Sequence, residues 1–421
     1  MNMNQPLLMR GEPRRQRKPA TVLLWALAAG LLVNFLPIFL PFDLGVPFSF
    51  LGWMIPLLAS VYVLANRPGA VRFPIGLWLP WMTWIVLYLV QATVDNALQR
   101  SIMLLTPLLV GMAFSTLRVD EALLETCDLW LRRFAWIFLV GVGIASGLLV
   151  AGALYDHWGS ASGTITASLL ATWFAARYAF TGQRRDLLIW ALLALVPVAY
   201  ITRMGILVIA ATLPLTLAPW PALKRLMACA VLLFAGLAVF QLDRIQAKMF
   251  HSGQGTLEEA VQSAMGVFTG EDTGTSDFRD NARKGMNQYF FEGVKDAYWL
   301  GHGANATEPI LISQFDLQHP HNDWLRLQYE YGTLGMGLFA LAMVLQAIHA
   351  WFSAKRLRGR ARIFMLAGSG AFIPMAMLML TDNVILYVAW FGNLHFAMLG
   401  LGYAALRGMR RASGRPLLRA S

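Results

Sequence analysis

Long apolar runs, separated by short polar segments, occur along most of the chain. A helix needs about 20 mostly apolar residues to cross a hydrocarbon core of ~30 Å, and many of the runs have about that length. Alternating ten-residue segments of the membrane β-barrel type are not seen in the sequence. The pattern predicts an all-α polytopic membrane protein with about twelve transmembrane helices, at residues 20–41, 48–65, 73–94, 101–117, 133–154, 161–180, 186–201, 203–220, 223–240, 324–350, 361–381 and 384–406.

One connection between the predicted spans is much longer than the others. It contains helix-like pieces, "TLEEAVQSAMGVF" and "SDFRDNARKGMNQYFFEGVKDAYWL", and ends at "GHGANA" and "HPHND". A connection of this length is either functional or a small domain. The chain therefore divides into an N-terminal membrane region at 1–240, a long loop with short helices at 241–323, and a C-terminal membrane region with a basic tail at 324–421.

Composition agrees with a membrane protein. The chain is 57% hydrophobic and 14% charged, whereas soluble domains carry roughly 25% charged residues. The net charge of +11 comes from Lys and Arg in short loops and at both termini, and no basic stripe is interleaved with aromatic residues. This distribution argues against a nucleic-acid partner.

The positions of the basic residues predict the orientation of the chain. Both termini are basic, and so are the loops "NRPGAVR", "GQRRD", "ALKR" and "AKRLRGRAR", whereas the alternate loops "YDHWGS" and "TDN" have no Lys or Arg. The positive-inside rule puts both termini in the cytoplasm and the long loop on the opposite side. The first helix is predicted to be retained, because no A-x-A site follows a short apolar region. No disulfide or structural zinc is expected at Cys127 or Cys229.

The segment "HPHND" stands where the chain returns to the membrane, and the residue types allow three interpretations. In the first, it is simply a capped helix start, with Asn322 as N-cap and Asp323 in the first turn. Gly332 and Gly335 then let a neighbouring helix approach closely.

The second interpretation is a metal site at His319, His321 and Asp323. Zinc needs three or four ligands, but only His251 and His302 are additional histidines in this loop, and no HExxH-type spacing occurs. The sequence therefore favours a site without metal. The third interpretation is a general base, since neutral imidazole accepts protons well near neutral pH.

Arginines near the same predicted edge of the membrane favour the third interpretation. Arg203 lies between two apolar runs, where its structural alternative is snorkelling to lipid headgroups. Arg279 lies in the long loop with Arg283 one turn later, and here the alternative is a solvated helix face. Guanidinium groups bind phosphate in a bidentate manner. A base beside such arginines fits attack of a hydroxyl on a sugar whose leaving group is a lipid pyrophosphate.

At these residues the sequence resembles the superfamily of O-antigen ligases and O-antigen polymerases. A signature of that family is His, then Asn, Ser or Gln, then nine residues and Gly-x-x-Gly. This chain matches it completely with His321, Asn322, Gly332 and Gly335.

Further motifs of the family occur in the expected order. Arg203 and Leu207 match Arg-x-x-x-Leu at the outer end of a helix. The loop motifs "TSDFRD", "YWLGHGAN" and "HPHND" follow, although Asp277 replaces the usual Ser two residues before Arg279. The resemblance covers roughly Tyr200 to Gly335; before it only the hydropathy matches.

The resemblance implies a GT-C-like fold in the inner membrane of a Gram-negative bacterium, with the active site facing the periplasm. The family contains ligases that transfer glycan from undecaprenyl pyrophosphate to the lipid A core, polymerases that join O-units, and protein O-oligosaccharyltransferases. Chain length, the full glycine motif and the paired histidines favour a ligase. A lipid-linked glycan transporter or flippase is an alternative from another class, but its charged residues would follow a path through the bilayer.

The resemblance also implies roles for individual residues. The reaction is expected to be an inverting glycosyl transfer without metal or cofactor. Its substrates would be undecaprenyl-pyrophosphate-linked O-antigen and the lipid A-core oligosaccharide, amid membrane lipids. His321 would be the base, and Arg203 and Arg279 would hold the pyrophosphate. The supporting residues would be Asn322, Asp323, His319, Arg283 and Tyr289.

Overall fold

The computed structural model describes residues 14–33, 48–90, 95–151, 160–200, 202–216, 220–269, 283–317 and 319–412. These residues form helices, turns and connecting segments, with no β-strand among them. The helices are α1 Arg14–Val33, α2 Phe48–Asn66, α3 Leu79–Val90, α4 Ala97–Ser115, α5 Glu121–Val150, α6 Ser160–Thr181, α7 Arg184–Ala199, α8 Arg203–Thr216, α9 Ala222–Phe240, α10 Asp243–Met249, α11 Leu257–Thr269, α12 Arg283–Asp296, α13 Thr307–Phe315, α14 Asp323–Ala354, α15 Gly359–Gly370, α16 Phe372–Leu378 and α17 Asn393–Ala412.

The predicted all-helical class is confirmed for the described residues. Six helical segments among them are long and apolar enough to cross a membrane: Phe48–Asn66, Ala97–Ser115, Glu121–Leu148, Ala222–Phe240, Asp323–Ala354 and Gly359–Leu378. Shorter apolar helices occur at Lys18–Val33, Leu79–Val90 and Arg203–Leu213. The count of twelve spans stays a prediction.

Two predicted spans differ in form from a straight helix. The run at 361–381 is divided into α15 and α16 at Ala371. The run at 384–406 begins with a π-helical turn, Val388–Gly392, before α17 starts at Asn393. The end of α16 lies beside the start of α14, where Trp324 donates a hydrogen bond from Nε1 to the carbonyl of Ala376, 2.9 Å away.

Helix α6 forms the centre of the bundle although it carries many hydroxyl groups. Its residues from Ser162 to Arg177 are all buried, and it packs against α7, α8 and α15. Two of the hydroxyls bond within the helix itself: Ser168 donates to the carbonyl of Ile165 at 2.7 Å, and Thr172 to that of Ser168 at 2.8 Å. Small residues on this helix thus allow close packing while these hydroxyl groups stay paired.

Helix α9 has the opposite character, since none of its residues is buried. It packs chiefly along α8 and meets α10 at its end. The two cysteines reflect these environments, because Cys127 is buried on α5 and Cys229 is exposed on α9, and both are free thiols. An apolar helix exposed on nearly all sides is stable in lipid, where its backbone groups are already paired.

Candidate active site

His321 lies in a turn immediately before α14. Its φ angle is 50°, in the left-handed region, and its backbone N–H donates to Oδ1 of Asn383 at 3.0 Å. The next residue, Asn322, caps α14 by accepting a hydrogen bond from the backbone N–H of Leu325 at 3.1 Å. The N-cap predicted at Asn322 is therefore present, and it fixes the direction in which the chain leaves His321.

The His321 ring faces two polar side chains from the segment between α16 and the π-helical turn. Nδ1 is 3.3 Å from Nδ2 of Asn383 and 3.7 Å from Oδ1 of Asp382. The side chain of His321 is 34% exposed. The imidazole is thus held from one side by Asp382 and Asn383 while part of the ring remains accessible.

Asp323 anchors the beginning of α14 rather than facing solvent. It is fully buried, its backbone N–H donates to the carbonyl of Met379, and its Oδ2 accepts from the backbone N–H of Ile385, both at 2.8 Å. These bonds join α14 to the same 379–385 segment that holds His321. Asp323 therefore holds the turn before α14 in place.

Gly332 interrupts α14, which the sequence pattern predicted as continuous. Its φ and ψ angles are 71° and 174°, in a region that is essentially restricted to glycine. The sequence predicted that a neighbouring helix approaches Gly332, but the group closest to it is a loop. A Cβ at this residue would lie 2.1 Å from the backbone oxygen of Trp299. Gly335 does face another helix, since a Cβ there would lie 2.6 Å from Nε1 of Trp84 on α3.

The loop at 298–303 enters this break and pairs the backbone groups that it exposes. The N–H groups of Thr333 and Leu334 donate to the carbonyls of Tyr298 and Trp299, at 2.8 and 3.3 Å. In return, the carbonyls of Tyr329 and Glu330 accept from the N–H groups of 302 and 303, at 2.8 and 2.9 Å. The glycine motif thus ties the long loop directly to the helix that carries His321 at its start.

A buried polar cluster lies one to two turns below the start of α14. Nε of Arg326 is 2.9 Å from Oε1 of Glu330, and Thr307 donates a hydrogen bond to the same carboxylate. A second guanidinium nitrogen of Arg326 donates to Oδ1 of Asn305 at 3.3 Å. Arg326 and Glu330 pair within α14, and the hydrogen bonds with Thr307 and Asn305 connect this pair to α13 and the residues before it. Because a buried charge needs a partner, loss of either member would leave the other charge unpaired.

A second ion pair extends the cluster to α4. Arg100 is 3.1 Å from Glu308, which also accepts a hydrogen bond from Asn305 at 2.5 Å. Burial by itself would raise the pKa of Glu308, but the hydrogen bond from Asn305 and the charge of Arg100 outweigh it, and the pKa is lowered. Burial lowers the pKa of the His319 imidazole to about 4, and the charges of Arg100 and Arg326 act in the same direction. His319 is therefore neutral near pH 7.

Arg203 is the first residue of α8 and is partly buried. The hydroxyls of Thr202 and Thr164 on α6 are 2.8 Å apart, and they hold this end of the helix in place. Helix α8 also packs against α16, and the residue after α16, Met379, bonds Asp323. Helix α16 is thus the shared neighbour of the Arg203 helix and of the His321 turn.

Three further residues were predicted for the site. Arg279 lies outside the described residues, and Arg283 begins α12, where only the backbone is described. Tyr289 is on α12 and accepts a hydrogen bond from Gln314 on α13 at 3.3 Å. Its ring packs against Phe290 and Phe315. In these contacts Tyr289 joins α12 to α13.

Among the described residues, no group of three or more His, Cys, Asp or Glu side chains could hold a metal ion. His302, one of the histidines considered as a further ligand, stacks on Tyr329 with ring centroids 4.2 Å apart, and its Nε2 is 2.8 Å from the carbonyl of Gly293. It holds the loop at 298–303 against α14.

Sequence reasoning did not identify Asp382 and Asn383 as neighbours of His321, nor Arg100, Arg326 and Glu308 as a cluster. An Asp-Asn pair between two apolar runs was the available signal for the first group. Charged residues within apolar runs, such as Arg326 and Glu330, were the signal for the second.

Comparison with known families places this region in context. Residues 187–340 match the model of a protein family described as O-antigen ligase, a range that extends from α7 into α14 and includes Arg203, Arg279 and His321. No curated protein matched the chain. The resemblance to the O-antigen ligase superfamily is confirmed for the segment that carries the His321 turn, the Gly332 break and the start of α8.

Proposed function

We propose that this protein is an O-antigen ligase. It transfers O-antigen glycan from undecaprenyl pyrophosphate to a sugar hydroxyl of the lipid A core, as a step of lipopolysaccharide biosynthesis. The observation that carries the proposal is the His321 turn, in which the family's histidine is held by Asp382 and Asn383 with part of its ring exposed.

His321 acts as the general base. The hydroxyl oxygen of the acceptor sugar attacks the anomeric carbon of the donor, the bond from that carbon to the pyrophosphate oxygen breaks, and the hydroxyl proton passes to the imidazole. Attack from the face opposite to the leaving group inverts the anomeric centre. Positioned general bases contribute typically ~10²–10⁴-fold to such a step.

Asp382 stabilises the charge that His321 gains in the reaction. The amide orientation of Asn383 is fixed, because its Oδ1 accepts from the His321 backbone and its Nδ2 faces Nδ1. Asp382 is 3.7 Å from Nδ1, a distance that shortens to a hydrogen bond when substrate is bound, as catalytic contacts often do. The carboxylate of Asp382 stabilises the positive charge of the imidazolium that forms when His321 accepts the proton.

The arginines bind the leaving group. Arg203, at the start of α8, and Arg279, in the long loop, each present a planar guanidinium to the pyrophosphate of the donor. Their charges stabilise the negative charge that develops on the departing oxygen, and this removes the need for a metal ion. The acceptor binds on the side of His319 and α12, where Arg283 and Tyr289 contribute.

The proposed setting is the inner membrane of a Gram-negative bacterium. Both termini are cytoplasmic and the His321 turn faces the periplasm, as the distribution of basic loops predicts. The donor lipid reaches Arg203 laterally from the bilayer.

A polymerase or protein O-oligosaccharyltransferase of the same superfamily is the alternative within this chemistry, and the family match supports the superfamily as a whole. A transporter is less well supported. The polar groups Arg100, Glu308, Arg326 and Glu330 form one cluster close to His321 and not a path of charges along the bundle.

The product made by purified protein in detergent tests the proposal. Undecaprenyl-pyrophosphate glycan and lipid A core are supplied together, and the products are separated by size and by lipid anchor. Glycan on the core supports a ligase. Longer lipid-linked glycan would indicate a polymerase, and absence of any transfer in detergent, with uptake only in sealed vesicles, would indicate a transporter.

A further inference from the structure

An open-sided apolar cavity lies near the end of the bundle opposite to His321. Its volume is about 140 Å³, less than the ~300–1,000 Å³ of a site that encloses a whole drug-sized ligand. It therefore accommodates part of a molecule that extends out through the open side. Its walls come from α1, α4, α5, α15 and α17. Small side chains, Ala28 on α1 and Ala397 on α17, leave the space between the helices unfilled.

Arg133 is the one charged residue in the lining of this cavity. Its side chain is exposed, and no ion pair involves it in the part of the chain that the structure describes. The adjacent Arg132 differs, because it is 3.3 Å from the carboxylate of Asp128. Arg133 therefore offers its charge to a group outside the protein.

Two tryptophans lie beside the cavity. Trp25 on α1 and Trp130 on α5 meet edge to face, with ring centroids 5.3 Å apart, and Trp130 also lines the cavity. Trp25 is 60% exposed. Tryptophan is enriched where the hydrocarbon core meets the headgroups. An apolar cavity beside such residues, with a cation at its rim, has the polarity profile of one phospholipid molecule.

We propose that this cavity binds a phospholipid with an anionic headgroup, with one acyl chain between α1 and α5 and the phosphate against Arg133. The apolar lining favours a lipid, since an empty cavity lacks the van der Waals contacts that an acyl chain would make with its walls. The argument for an anionic headgroup is the charge of Arg133, because basic pockets between transmembrane helices bind such headgroups. By the proposed topology this is the cytoplasmic leaflet. The inference does not depend on the glycosyl transfer.

Native mass spectrometry of the full chain tests the proposal, with equal amounts of phosphatidylglycerol and phosphatidylcholine of identical acyl chains added in detergent. Wild type is expected to retain the anionic lipid in preference by about fivefold, from roughly 1 kcal/mol per basic residue near a headgroup. Arg133→Gln should remove the preference for the anionic lipid. Arg133→Lys should retain it, since a point charge suffices to attract the headgroup. Arg118→Gln is the matched control, because Arg118 is exposed shortly before α5 and does not line the cavity.

A second variant tests the chain site. Ala28→Phe places a ring in the cavity from a partly exposed position on α1, and it should lower retention of both lipids while the protein stays monodisperse. Equal retention of the two lipids by wild type would overturn the headgroup assignment. Unchanged retention of the lipids by Ala28→Phe would show that the cavity is not the binding site. An unchanged preference for the anionic lipid in Arg133→Gln would show that Arg133 does not bind the headgroup.

Discussion

Replacing Gly332 by alanine tests the break in α14 and the loop that fills it. The glycine has φ 71° and ψ 174°, and an alanine held there would cost about 1–3 kcal/mol in backbone strain. Its Cβ would also lie 2.1 Å from the backbone oxygen of Trp299. Contacts this short do not persist, so the loop must move away from the helix.

The second part of the cost comes from hydrogen bonds. Withdrawal of the loop weakens the bonds from Thr333 and Leu334 to the carbonyls of Tyr298 and Trp299. Each backbone hydrogen bond contributes roughly 0.5–1.5 kcal/mol net. With the strain included, Gly332→Ala should lower the free energy of unfolding by roughly 2–6 kcal/mol.

Thermal unfolding of the purified protein in detergent, followed by tryptophan fluorescence, measures the effect. Gly337→Ala on the same helix is the matched control, because a Cβ there meets no atom within 4 Å, and it should be neutral or stabilise by about 0.5–1 kcal/mol. Gly332→Ala should unfold at a clearly lower temperature. If the two variants unfold together with wild type, the Gly332 break and the inserted loop are not features of the folded protein.

Further predictions concern the proposed site. Arg203→Lys should be badly impaired in transfer, because a point charge cannot replace a bidentate guanidinium. Near-normal turnover would mean that Arg203 only extends its charge to the lipid headgroups and does not bind the pyrophosphate. Addition of EDTA should leave transfer intact, whereas a loss that a divalent ion restores would contradict the arginine-only pyrophosphate site. Asp382→Asn should lower the rate while donor binding persists, since the imidazolium of His321 loses the carboxylate that stabilises it; an unchanged rate would exclude this role of Asp382. The lowered pKa of His319, about 4, means that the unfolded chain binds more protons than the folded one between pH ~4 and ~6.5. Stability should therefore fall as the pH drops through that range, and less steeply in His319→Gln; equal slopes would refute the burial of a neutral imidazole.

Local signals were readable from the sequence alone. The N-cap at Asn322 depends on a side chain and a backbone N–H three residues apart, so the residue type and the following apolar run suffice to predict it. The hydroxyl-rich α6 was also predicted as a helix, because its Ser and Thr side chains bond to carbonyls one turn away and do not disturb the apolar run.

Contacts between distant parts of the chain were not readable in this way. Asp382 and Asn383 reach His321 only because the start of α14 lies beside the end of α16, a packing that no periodicity shows. The break at Gly332 was missed because apolar residues continue on both sides of it, and the loop that pairs its backbone lies some thirty residues earlier. The Arg100–Glu308 pair joins α4 to α13 and likewise depends on tertiary packing.

The most direct test of the proposed function measures donor binding and glycan transfer in parallel for His321→Ala and His319→Ala. The account predicts that His321→Ala folds and binds undecaprenyl-pyrophosphate glycan normally but loses transfer by ~10²–10⁴-fold, and that His319→Ala is affected less. If His321→Ala remains active while His319→Ala is inactive, the base assignment is wrong. If His321→Ala loses donor binding as well, His321 belongs to the pyrophosphate site and is not the base of the reaction.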